Sequence, residues 1–269
     1  MSHYIHTLFY VLPQLSSSLT KNAPQAILLY VKFVYFSFTR KFLCKEKPLC
    51  FTFHYNKQKF NLMLRNNTDI AVLNEVFVLL EYSWPRLNKM EVKQILDLGA
   101  HWGDSSLYFS LCYPNAVIHA LEPSEGSYKR LVELSESFTN IKPIKAAFSD
   151  MAGKVSLFET GSSLGNSTVA KRLDTDTSIV VDAYPMENIC KIAGVGQFDL
   201  IKFDIEGAEK HIFSDSNNRN LARAFIGEIH LDLMDVSLQQ IESYFTDFDI
   251  NITEINHNRY ILKAVKRDG

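Results

Sequence analysis

No two of this chain's four cysteines form a C-x-x-C pair. Cys44, Cys50, Cys112 and Cys190 stand apart, without metal-ligand spacing. That argues against a zinc finger or a dithiol redox centre and reads as reduced thiols in a cytosolic protein. Charge of one sign is also scarce. Lys and Arg total 28 against 30 Asp and Glu, a formal net charge of -2, so no nucleic-acid partner recruited by overall charge is expected. A long hydrophobic run is missing as well. In "APQAILLYVKFVYFSFTRKF" the stretch from Ala26 to Phe38 is broken by Lys32 and Ser37, and it is shorter than the ~20 residues of a membrane span. It lacks a small-residue cleavage site and sits away from the extreme N-terminus, which argues against a signal peptide. Internal repeats and low-complexity segments are absent.

What is present is enough for a sizeable core, since 46% of residues are hydrophobic and 12% aromatic. Residues 1–47 read as an appendage of helical segments joined by "SSSLTKN". The helix expected within 24–47 packs on the rest of the chain or on a second copy in a homo-oligomer. The alternative is peripheral membrane contact, helped by Arg40, Lys41, Lys45 and Lys47. The remainder, 48–269, reads as the catalytic domain, with 48–92 as a leading hairpin and helix and 93–269 as its core. "LCFTFHYNKQKFNLMLR" alternates across a hairpin that turns at Asn56 and Lys57. "TDIAVLNEVFVLLEY" sets Val72, Val76, Leu79 and Leu80 at helical spacing, in a helix begun by Thr68 or Asp69.

From Lys93 strands and helices alternate. "QILDLG", "AVIHALEP", "IKPIKAAFS", "GKVSLFE", "TSIVVDAY", "FDLIKFDIEG" and "AFIGEIH" read as strands. "DSSLYFSLC", "SEGSYKRLVELSES" (opened by Ser124), "MENICKIAG", "AEKHIF" and "SLQQIESYF" read as helices. The rhythm predicts an α/β fold, a mostly parallel sheet with helices on both faces. The end of the chain breaks it. "DINITEI" and "RYILKAV", separated by "NHN", predict a closing antiparallel hairpin. The all-parallel dinucleotide-binding arrangement has no such hairpin. The polar run "TGSSLGNSTVAKR" reads as a lid or as an ordinary surface connection.

The stretch "QILDLGAHWGDSSLYFS" runs from a strand through a glycine turn into a helix. Gly99 and Gly103 permit the turn and a close approach of backbone to ligand. The third glycine of the dinucleotide fingerprint is missing. Asp97 and Asp104 flank the turn and would repel a pyrophosphate, whereas they suit a ligand bearing an ammonium and a sulfonium, such as S-adenosyl-L-methionine. Glu122 ends the next strand, about 20 residues on, where an acid accepts hydrogen bonds from a ribose diol. Pro123 closes that strand. Asp150 after the third strand either reaches the adenine amino group or forms a turn.

These segments resemble the FkbM-type methyltransferases. The match runs through "ILDLGAHWGDSS", "VIHALEPSEGSYKRL", "IKPIKAAFSDMAGKVSLFE", "FDLIKFDIEGAEKHIF" and "FIGEIH". Its most specific part is K-x-D-x-E-G-A-E at Lys202, Asp204, Glu206, Gly207, Ala208 and Glu209. His101 stands where the family more often has Asn. The resemblance implies a Rossmann-like class I methyltransferase with a seven-stranded sheet. It further implies methylation of a hydroxyl on a sugar or another natural product, a small-molecule or glycan acceptor.

The expected cofactor cradle is Asp97, Gly99, Ala100, Gly103, Asp104, Ser105, Glu122, Pro123, Asp150 and Asp204. The expected catalytic group is His230, Asp204, Glu206 and Glu228, beyond the strand ends where open parallel sheets bind ligands. His230 is the first choice as general base for a hydroxyl acceptor. Glu228 and His230, two apart on a strand, should share a face. Glu209 and Lys202 read as structural. A divalent metal on Asp204, Glu228 and His230 ranks below a metal-free site. The rival readings are a nicotinamide-dependent oxidoreductase and a non-catalytic binding protein of the same fold.

Overall fold

The structure is a computed structural model that describes residues 6–42, 47–159, 168 and 177–267. The run expected to be a lid, 160–172, lies outside the described residues except for Thr168. Two compact units divide at Glu81 and Tyr82. The hairpin and the helix after it fall in the first of these units.

The first unit opens with a π-helical turn, Thr7–Val11, that runs into α1, Leu12–Ser18, and then α2, Ala23–Phe42. Strands β1 (Leu49–Tyr55) and β2 (Gln58–Leu64) pair antiparallel, with Tyr55 opposite Gln58. Asn56 and Lys57 turn the hairpin at positive φ, 44° and 66°, as a two-residue turn between right-twisted strands requires. Helix α2 packs Phe33 and Phe36 on Phe51 of β1, with ring centroids 4.9 and 5.4 Å apart. Its other face leaves Ile27, Leu28, Val31, Tyr35 and Phe38 exposed, and no described helix is long and apolar enough to cross a membrane. Helix α3, Asn67–Phe77, starts one residue before the expected Thr68. The reason is a capping box in which Asn66 accepts from Asp69 N while the Asp69 carboxylate takes the Asn66 amide. It also stops early. Val72 and Val76 are buried as expected, but Leu79 and Leu80 lie beyond the helix and are exposed, Leu80 at φ 54°.

The second unit is built on a seven-stranded sheet. Its strands are β3 (Gln94–Leu98), β4 (Val117–Leu121), β5 (Ile141–Ile144), β9 (Phe198–Phe203), β10 (Ala222–His230), β11 (Phe248–Asn256) and β12 (Arg259–Lys266), in the order β11-β12-β10-β9-β3-β4-β5. From β5 to β10 all neighbours are parallel, and β12 alone is reversed. Strand β3 is buried from Ile95 to Leu98, as a strand covered on both faces must be. The chain winds outward from β3 towards β5, then returns to β9 on the other side, so the strand order switches between β3 and β9.

"IKPIKAAFS" is not one strand. It divides into β5 and a short β6, Ala147–Phe148, which joins β7 (Gly153–Glu159) and β8 (Thr177–Tyr184) in a separate sheet of order β6-β8-β7. The helices that serve the site are α4 (Asp104–Cys112), α5 (Glu125–Ser137) and α7 (Glu209–Ser214). Helices α6 (Met186–Ala193), α8 (Ser216–Asn220) and α9 (Leu238–Tyr244) complete the unit.

Candidate active site

The glycine turn after β3 is organised from inside. Asp97 is fully buried. Its Oδ2 accepts the hydroxyls of Ser105 and Ser106 at 2.7 and 2.6 Å, and its Oδ1 lies 3.1 Å from the Lys202 ammonium. Lys202 also donates to Gly99 O at 2.8 Å and sits over the Tyr82 ring. Burial would lower the pKa of this ammonium, but Asp97, Asp204 and Asp104 together hold it above the ordinary value. Asp97, Ser105 and Lys202 thus fix the start of α4 and the loop after β3, with the Asp97 oxygens already engaged.

Gly99 and Gly103 take φ of 73° and 100°, so both are needed for the turn. The space beside them is filled by protein. A Cβ on Gly99 would lie 1.9 Å from Asp204 O, and one on Gly103 2.5 Å from the Leu134 side chain. Their close approach is to the β9 end and to α5. Three turn amides are also engaged: Ala100 N donates to Leu121 O, Gly103 N to Ala100 O, and His101 N to Glu122. Asp104 is buried beside His101, Nδ1 to Oδ1 3.3 Å. Burial pushes its pKa up, and His101 and Lys202 outweigh that and hold it below the usual carboxylate range.

Glu122 stands at the end of β4, buried. Its Oε2 accepts His101 N and its Oε1 accepts Ser124 N, both at 2.8 Å. Burial pushes its pKa up to about 7 against the pull of His101 and these amides. Each oxygen keeps a lone pair after its amide bond, which is the acceptor pair a ribose diol needs. Ser124 does not cap α5 with its side chain; its hydroxyl donates to Glu159 at 2.6 Å. Pro123 is half-buried between them. Asp150 is exposed, accepts from Ser149 Oγ at 3.2 Å and lies 3.9 Å from His211.

The expected catalytic residues converge. Asp204 follows β9, and its amide donates to Leu98 O at 3.1 Å. Glu206 holds a left-handed φ of 53°, and Gly207 follows at 104°. Glu209 secures this bend, because its carboxylate accepts Ile205 N at 3.3 Å and Gly207 N at 2.8 Å. The same carboxylate meets His230 Nδ1 at 2.7 Å, both side chains fully buried. On the other side of the ring, Nε2 lies 3.1 Å from Glu206, 3.5 Å from Glu228 and 3.7 Å from Asp204. Glu228 and His230 do share a face of β10, as strand alternation requires.

Burial would lower the His230 pKa, but Glu209, Asp204 and Glu206 raise it to about 9. With these charges around it the imidazole holds its proton at neutral pH, which leaves it no lone pair to accept another.

Arg259 was not among the expected residues. It sits opposite His230 in the β10–β12 register, with its guanidinium 3.4 Å from Glu228, 3.4 Å from Asp232 and 3.9 Å from Glu206. Nothing local in "NHNRYILKAV" marks it, because the pairing that brings it there is non-local.

A seven-stranded sheet of this order, with β12 alone reversed, defines the Rossmann-like class I methyltransferase fold. The methyltransferase FkbM domain family matches residues 97–261, and the chain belongs to that family, one of S-adenosyl-L-methionine-dependent methyltransferases. The methyltransferase sdnD of Sordaria araneosa is 25% identical over 168 residues, a match covering 50% of this chain and 65% of that protein. The chain thus spans slightly less than two thirds of that relative. Solved structures overlap more loosely. Aeropyrum pernix fibrillarin in complex with natively bound S-adenosyl-L-methionine shares 14% identity over 80% of this chain and 82% of its own, with a TM-score of 0.45. The precorrin-6y C5,15-methyltransferase of Geobacter metallireducens shares 14% over 68% and 84%, with a TM-score of 0.41.

Proposed function

We propose that this protein is an S-adenosyl-L-methionine-dependent O-methyltransferase acting on a hydroxyl of a sugar or other natural product. The observation that carries the reading is Glu122. It is a buried strand-end carboxylate whose oxygens each hold one amide and keep one acceptor site for a ribose hydroxyl. Asp150 is the proposed partner of the adenine amino group. The ammonium of the cofactor falls to Asp204, since both oxygens of Asp97 are engaged within the protein. When bound, the cofactor supplies an activated methyl group.

The chain's own task is then to hold an acceptor oxygen in line and to manage its proton. Asp204, Glu206 and Glu228 form the acceptor side, spaced by His230 and Arg259. With His230 protonated, the proton acceptor is a carboxylate of this cluster, and His230 fixes the cluster's geometry through Glu209. Transfer of a radiolabelled methyl group to a panel of sugars, glycosides and polyols tests the reading. Product stable to mild alkali indicates an ether. Labelled ester that hydrolyses under the same conditions would replace O-methylation of hydroxyls by carboxyl methylation.

A further inference from the structure

We propose that Asp204, Glu228 and His230 bind one divalent first-row transition-metal ion, a site that deepens the methyltransferase reading and rests on it for its role in catalysis. One ligand atom from each of the three residues lies within 4.8 Å of the others. Acidic groups cluster at many strand ends without an ion, so the proposal stands on the histidine. His230 is fully buried and its Nε2 has no hydrogen-bond partner. Its Nδ1 is held by Glu209 at 2.7 Å, the carboxylate–histidine arrangement that turns an imidazole towards a metal and fixes its tautomer. Nε2 then points at Glu206, Glu228 and Asp204, at 3.1, 3.5 and 3.7 Å, and the ion takes the place of the proton that this nitrogen carries in the metal-free site.

Ligand bonds of about 2.0–2.2 Å to nitrogen and oxygen put neighbouring ligand atoms roughly 3.0–3.5 Å apart, by the geometry of an octahedron or a tetrahedron. The separations from His230 Nε2 to Glu228 and Asp204, 3.5 and 3.7 Å, lie at or just beyond the upper end of that range. Charge points the same way. Four carboxylates, Asp204, Glu206, Glu209 and Glu228, stand around His230, and Arg259 contacts two of them, Glu206 and Glu228. One imidazole with carboxylates suits manganese or zinc better than calcium, which prefers oxygen alone. Such an ion would hold an acceptor hydroxyl beside the cofactor and lower its pKa, a task for which a carboxylate alone is weak.

The test uses the full chain stripped with EDTA and titrated with Mn²⁺, with the free aqua ion followed by electron paramagnetic resonance. One ion per chain is expected, with nitrogen hyperfine coupling from the imidazole. Glu228→Gln should weaken binding at least tenfold, and His230→Gln should abolish the nitrogen coupling. Because His230 is fully buried, the partly exposed Glu228 carries the test if His230→Gln fails to fold. No uptake by folded wild-type protein at millimolar Mn²⁺, or uptake unchanged in Glu228→Gln, overturns the site. Calorimetry with S-adenosylhomocysteine on the same samples separates the two claims. Nucleoside binding without metal uptake sinks only the metal, and metal uptake without nucleoside binding sinks the methyltransferase reading.

Discussion

Glu209 and His230 meet at 2.7 Å with both side chains fully buried, and this contact joins the two halves of the candidate active site. Through it, one carboxylate sets the bend that carries Asp204 and Glu206, by way of the Ile205 and Gly207 amides, and also orients the ring at the end of β10. Removing one partner of such a buried pair typically costs about 3–5 kcal/mol, because the other is left uncompensated. Glu209→Ala should therefore lower the unfolding free energy by an amount of that order in urea titration. It should also reduce methyl transfer, although Glu209 touches no expected ligand. Unchanged stability would show that the pair does not hold the bend.

Asp97 and Lys202 form the second buried pair. Asp97→Ala removes the carboxylate in contact with the Lys202 ammonium and the acceptor of the Ser105 and Ser106 hydroxyls, so a loss of about 3–5 kcal/mol is expected. Combining Asp97→Asn with Lys202→Met should be less damaging than the sum of the single changes. Additive losses in a double-mutant cycle would contradict the pairing.

Glu122 has a pH signature. Its pKa is about 7 in the folded protein against an ordinary value of 4.5. The folded state therefore holds a proton that the unfolded state has released between these values. Linkage then requires stability to fall as pH rises through this window, with the contribution fully present below the ordinary value. Glu122→Gln should flatten that fall in denaturation curves recorded at successive pH values. It should also weaken nucleoside binding, by roughly 1–3 kcal/mol for a lost buried acceptor. A wild-type profile with no slope in the window would remove the raised pKa.

Gly227 lies opposite Phe203 in the parallel β10–β9 register. A Cβ there would sit 1.8 Å from Phe203 O. Gly227→Ala must push the strands apart just before Asp204 and Glu228, at a typical overpacking cost of about 1–3 kcal/mol. Thermal denaturation should show a lower Tm, and methyl transfer should fall beyond what the lost stability explains. An unaffected variant would mean that the strand pair can relax freely.

Much of this was legible in the sequence, for identifiable reasons. Alternation and helical spacing located β3, β4, β9, β10 and the closing hairpin, because each is a local pattern tied to burial. The same logic paired Glu228 with His230. Where the outcome depends on distant contacts, the sequence was mute. "IKPIKAAFS" reads as one strand, yet its two halves pair with β4 and β8 in different sheets. Leu79 and Leu80 keep helical spacing beyond the true end of α3. Gly99 reads as a glycine for ligand approach, whereas Asp204 O fills its side. The proton on His230 follows from Glu209, Asp204 and Glu206, which the bend after β9 brings to a ring at the end of β10. Arg259 reaches them only through strand pairing.

The central claim is that the turn after β3 and Glu122 hold a methyl donor. Isothermal titration of the folded full chain with S-adenosylhomocysteine addresses it most directly. The account predicts saturable binding of one molecule per chain, weakened by Glu122→Ala and indifferent to NADH. No heat of binding from S-adenosylhomocysteine in a folded sample, or tight NADH binding in its place, would contradict it.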